Sequence, residues 1–101
     1  MQCANKAETK ERIIENSNQF VQQWLDLLAK KDLEGILDLY CPEAALMPTL
    51  RNKIHKTRAD RKEYFQFFLS FPNLHGNIIS QYCRVYGNIM INTGLYKFVF
   101  L

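Results

Sequence analysis

An α+β fold is predicted by three features of the 101-residue chain. Residues 9–31 carry apolar side chains at helical spacing, and residues 57–70 do so again behind an N-cap pattern. Two long runs rich in Ile, Val, Tyr and Phe then meet at Gly87-Asn88. Helices first and a long hairpin last imply helices packed on a curved, mainly antiparallel sheet.

The first helix, Thr9–Lys31, sets Ile14, Val21, Trp24, Leu25 and Leu28 on one face, and Lys30 and Lys31 suit the negative end of its dipole. Asp32 is the expected N-cap of a short second helix, Leu33–Tyr40, with Ile36, Leu37 and Tyr40 turned inward. Gly35 weakens that helix and Pro42 bars its continuation. Ala45–Leu50 (ALMPTL) is apolar and of strand length, and Pro48 assigns it to an edge or a bulge. Arg51–Thr57 is polar and loop-like. Thr57 with Asp60 starts a third helix running to about Ser70, with Tyr64, Phe67, Phe68 and Phe71 as its apolar stripe.

The hairpin strands are Asn77–Tyr86 and Ile89–Leu101, joined by Gly87-Asn88 in a two-residue type II′ turn. That turn sets Tyr86 opposite Ile89, Arg84 opposite Ile91 and Ile78 opposite Lys97, with Arg84 and Lys97 on one face. Gly94 marks a bend or bulge that would break this register.

Composition narrows the function classes. The chain is 48% hydrophobic and carries a net charge of +3, which fits one globular domain over residues 1–101. Residues 1–44 hold five basic and eight acidic groups (−3), and residues 45–101 hold eight and two (+6), which would steer two copies together or draw an anion. No run is long enough for a membrane span, and the polar start lacks the apolar stretch of a signal peptide. Cys3, Cys41 and Cys83 form no C-x-x-C pair, so no disulfide framework or zinc site is expected and a cytoplasmic setting is. The cations Arg51, Lys53, Lys56, Arg58, Arg61 and Lys62 lack the interleaved aromatics of a nucleic-acid platform. His55 and His75 are expected as surface residues, without metal-ligand spacing.

Three stretches carry a family resemblance: WLDLLAKKDLEGILDLYCPEAALMPTL (Trp24–Leu50), the Thr57 helix start with YFQFFL (Tyr64–Leu69), and RVYGNIMINTGLYKFVF (Arg84–Phe100). Together they resemble the nuclear transport factor 2-like (SnoaL-like) superfamily, in the branch of the calcium/calmodulin-dependent protein kinase II association domain. The resemblance implies a cone-shaped fold whose sheet curls around the helices and leaves an apolar cavity. It also implies a further pair of strands, absent from this chain, so the domain is expected to be C-terminally incomplete.

The resemblance implies assembly too, as a homodimer or larger, and the apolar strand Leu95–Leu101 offers an edge for it. Isomerases sharing the fold place a carboxylate base just before the first-strand proline and a phenol on the first helix. Here those positions hold Met47 and Trp24, which argues against that chemistry. The alternative is a small enzyme of the ketosteroid isomerase, dehydratase or polyketide cyclase kind. No nucleotide-binding glycine motif is present, and no cofactor is expected. The expected pocket residues are Trp24, Tyr40, Met47, Tyr64 and Phe68, with Phe98 among the bulky aromatics able to line it. Lys97 and Arg61 fall on polar pocket positions of the family. The expected function is thus a non-catalytic association domain with an apolar, partly cationic cavity for a small carboxylate or apolar ligand.

Overall fold

A computed structural model describes residues 10–100. Three helices are followed by two strands: α1 (Lys10–Lys30), α2 (Leu33–Asp38), α3 (Arg58–Phe68), β1 (His75–Tyr86) and β2 (Ile89–Val99). The caps stand where the residue types placed them. Asp32 accepts from Gly35 N at 3.0 Å, and Thr57 Oγ1 accepts from Asp60 N at 3.1 Å. Lys31 turns the chain out of α1 at φ 58°, and its ammonium donates to the carbonyls of Leu69 and Phe71 at 2.6 and 2.8 Å. One side chain thereby ties the end of α1 to the end of α3 and meets carbonyls that the last turn leaves unpaired.

The core lies where α1 and α3 meet the inner face of the hairpin. Leu25, Leu28, Ile36, Leu37, Tyr40, Tyr64, Phe65, Phe68 and Leu74 are buried together. Phe65 is fully covered, whereas Phe67 and Phe71, expected in the stripe, are only partly buried. A helix packed against α2 and, through Phe65, against the Tyr40 ring just beyond α2 needs a wider apolar face than one stripe.

The two strands pair antiparallel, and Gly87 takes φ 61° with Asn88 outside the left-handed region, as a type II′ turn requires. Tyr86 faces Ile89 and Arg84 faces Ile91, as the turn dictates. Beyond Ser80 the register slips by one: Ile78 faces Tyr96, and Asn77 takes Lys97. The extra residue lies at Ile79 on β1, opposite the step from Leu95 to Tyr96, and Gly94 pairs with Gln81 beside it. A Cβ on Gly94 would sit 2.1 Å from the Ser80 carbonyl oxygen, so glycine permits the bulge from the opposite strand. The slip turns Ile78 from the outer face to the inner one.

Two further expectations are corrected. Ala45–Leu50 forms no strand; Leu46 and His55 make one isolated bridge, exchanging N–H···O bonds of 2.9 and 2.8 Å. Pro48 has no N–H to extend the ladder and Leu50 turns away at φ 67°. His55 is consequently buried, 5.8 Å from the Tyr64 ring, rather than a surface residue, and His75 begins a strand. Cys41 is disulfide-bonded, where no disulfide framework was expected. Cys83 is free and half-buried. No described helix is long and apolar enough to cross a membrane.

Candidate functional site

Between α1, α3, the Leu46–Thr49 segment and the inner face of the hairpin lies a recess of about 190 Å³. Each wall follows from local sequence. The helical period of α1 turns Val21 and Trp24 toward the sheet, and α3 contributes Tyr64 and Phe68 one turn apart. Strand alternation presents Tyr96 and Phe98 from β2, and the bulge brings in Ile78. The Trp24 ring meets Tyr96 and Phe98 edge-on, with centroids 6.1 and 5.9 Å apart. Phe68 stacks on Tyr64 at 5.6 Å and meets Phe98 edge-on at 5.1 Å.

Three polar devices sit in this wall. Trp24 Nε1 donates to the Tyr40 hydroxyl at 3.1 Å. The Tyr64 hydroxyl donates to the Thr49 carbonyl at 3.0 Å and so pins the segment carrying Met47 and Pro48. Asn92 Nδ2 donates to Ser17 Oγ, Asn18 Oδ1 and Gln81 Oε1 at 2.7, 3.2 and 3.5 Å, tying β2 to α1. Asparagine inside a strand was not singled out from the sequence; its polarity on an otherwise apolar face was the available signal.

Burial raises both phenols. Tyr40 lies well above the ordinary tyrosine range, and Tyr64 is pushed up to about 12 from 10.0. The fold therefore prefers each phenol neutral. The stability this contributes is complete below the ordinary tyrosine pKa and is lost as pH rises through the folded value. Urea unfolding between about pH 9 and 12 should show a falling midpoint, flatter in Tyr64→Phe. A midpoint independent of pH across that window would contradict the burial assigned to these hydroxyls.

Of the expected pocket residues, the recess unites Trp24, Tyr40, Met47, Tyr64 and Phe68. Met47 stands at the rim, 79% exposed. The two cations are elsewhere. Lys97 lies on the face of β2 turned away from α1, together with Ile89 and Ile91, while Thr93 and Leu95 of the same row reach the edge of the recess beside Gly94. That apolar row looks like a core face in the sequence, but Asn92, Tyr96 and Phe98 are the residues that meet the helices. Arg61 is 1% exposed and lies outside the recess. Its guanidinium donates to the carbonyls of Ala44 and Cys41 at 2.7 and 3.4 Å and lies 5.7 Å from the Tyr40 ring, so it clamps the turn after α2.

The lining contains no Asp, Glu, His, Lys or Arg. No group of three or more His, Cys, Asp or Glu that could hold a metal occurs among the described residues. The basic cluster is largely engaged: Arg58 pairs with Glu34 and Asp38 at 2.9 and 3.0 Å, Lys53 with Asp60 at 3.6 Å, and Arg51 stacks on Phe67 at 3.9 Å.

No family model and no curated protein matches the chain. Among solved structures, a candidate calcium/calmodulin-dependent protein kinase II association domain from Xanthomonas campestris superposes with a TM-score of 0.78 at 25% identity, covering 98% of this chain and 69% of that one. The chain is thus similar to the kinase II association-domain branch of the nuclear transport factor 2-like fold, as its Trp24–Leu50 and Arg84–Phe100 stretches indicate.

Proposed function

We propose that this chain is a non-catalytic association domain that pairs with a second copy of itself and holds a small apolar ligand in the recess. The observation that carries the association is the outer face of the hairpin. Ile79, Tyr82, Tyr86, Ile89, Ile91 and Leu95 are each at least 44% exposed and lie on one two-stranded surface. A largely apolar face of this kind, interrupted by Arg84 and Thr93, is a liability on an isolated soluble domain and an asset at an interface. Among the described residues neither strand pairs with a third, so the hairpin edges also offer unpaired backbone groups. The solved relative's description as an association domain supports the same reading.

The uncharged lining supports a binding role over acid–base chemistry, because a general base needs a titratable group within reach of the bound molecule. In this reading the recess is apolar rather than cationic, since Arg61 is committed to backbone carbonyls and Lys97 faces away. Sedimentation across the micromolar range tests the association. A dimer or larger species in reversible exchange is the expected result, and a monomer at every concentration contradicts it.

A further inference from the structure

Every wall of the recess is aromatic or aliphatic except at a few polar atoms, and one buried hydroxyl among these has an unused proton. The Tyr40 hydroxyl accepts from Trp24 Nε1 at 3.1 Å and donates to no acceptor among the described residues. The Tyr40 side chain is 6% exposed, and both it and Trp24 line the recess. A buried donor is ordinarily matched by an acceptor, so a phenol in this position points to a missing one. The neighbouring groups differ. Tyr64 already donates to Thr49, Asn92 Nδ2 serves three acceptors, and Ser80 is exposed.

The geometry points to Tyr40 Oη as the donor that binds the carbonyl oxygen of a small, neutral, largely apolar ligand, with Trp24 Nε1 polarising that donor from behind. This subsite rests on the ligand-binding reading above and narrows it to one chemical class. The direction of the relay sets the class. An indole N–H pointing at the phenol oxygen strengthens the phenol as a donor, and a ligand acceptor completes the chain N–H···O–H···O=C. A ligand that only donates would leave the Tyr40 proton stranded. Burial keeps that proton in place far into the alkaline range.

Charge excludes the other common oxygen ligand. A carboxylate would enter a lining without Lys, Arg or His and stay unpaired, which is costly in an apolar site. The rings of Trp24, Tyr96 and Phe98, set edge-on to one another, offer faces for a flat hydrocarbon frame beside the phenol.

Three probes of similar shape separate the alternatives: the bicyclic ketone 1-indanone, its hydrocarbon indane, and indane-1-carboxylate. Calorimetry on the parent protein should show the ketone binding about five- to tenfold more tightly than indane, the size of one buried neutral hydrogen bond. The carboxylate should bind more weakly than either. Tyr40→Phe should abolish the preference for the ketone over indane. Since Tyr40 belongs to the core, a second reading uses the parent alone: the ketone's C=O stretching band should move to lower frequency on binding.

Equal affinity of ketone and indane, or an unshifted carbonyl band, overturns the Tyr40 subsite and leaves the apolar recess standing. Tighter binding by the carboxylate overturns the neutral class. Failure of both ketone and hydrocarbon to bind overturns the ligand reading itself, and the subsite with it.

Discussion

Gly94→Ala is expected to cost about 3 kcal/mol of folding stability, at the upper end of what overpacking a close-packed site does. The added Cβ would lie 2.1 Å from the Ser80 carbonyl oxygen and 3.1 Å from Gln81 Cα, and both obstacles are backbone. No side-chain rotation relieves that contact, so the bulge at Ile79 must open or the register must shift. A shifted register returns Ile78 to the outer face and pulls hydrophobic area out of the core beside Trp24 and Phe98. Chemical denaturation of the variant against the parent checks the loss. Ser80→Gly would not rescue it, because the obstructing oxygen is main-chain. Unchanged stability in Gly94→Ala would mean that the strands pair differently from the register described.

Arg61→Met should cost about 2 kcal/mol, because it leaves the Ala44 carbonyl without a donor, while the Cys41 carbonyl keeps the Ala44 N–H at 2.9 Å. The buried guanidinium bonds Ala44 O at 2.7 Å and Cys41 O at 3.4 Å, and its Nε has no partner among the described residues. Methionine keeps most of the volume, so the loss reads the hydrogen bonds rather than a cavity. Arg61→Lys should recover only part of it, since an ammonium cannot reproduce the fork. The same clamp anchors the turn that leads to Met47 and Pro48 at the rim. The variant should therefore bind any occupant of the recess more weakly than its stability alone predicts. A variant as stable as the parent would show that the Ala44 carbonyl finds another donor at no cost.

Much of the fold could be read directly from local chemistry. Asp32 and Thr57 are short oxygen side chains ahead of apolar runs, and both cap helices. Gly87-Asn88 is a two-residue link with glycine first, and the turn it makes fixed the near end of the register. What local chemistry could not supply was the effect of one strand on another. Gly94 announced an irregularity, but the extra residue sits on β1, where Ile79 looks like any strand residue. Likewise the pair Ile89 and Ile91 reads as a core face, because sequence shows apolarity and not which side the helices occupy.

The candidate site was legible to the same degree. Trp24, Tyr40, Tyr64 and Phe68 are large apolar residues at helical spacing, and they converge as their periodicity requires. Lys97 and Arg61 were assigned by position in a resembling family, and each is claimed by its surroundings instead. Arg61 has the Ala44 carbonyl within reach and shares the Cys41 carbonyl with Ala44 N, while Lys97 shares the parity of the outer face. The Trp24–Tyr40 bond spans sixteen residues and two helices' worth of chain, and nothing in either segment alone announces it.

Association through the outer face of the hairpin is the claim on which the proposed function depends, and one paired measurement addresses it. Sedimentation equilibrium compares the parent with Ile89→Lys/Ile91→Lys, two exposed positions on β2 outside both the core cluster and the recess. The parent should associate reversibly, and the variant should sediment as a monomer of unchanged helix content, since burying two unpaired ammonium groups would cost more than such an interface returns. A variant that associates as tightly as the parent would contradict the outer-face interface, and a monomeric parent would contradict association altogether.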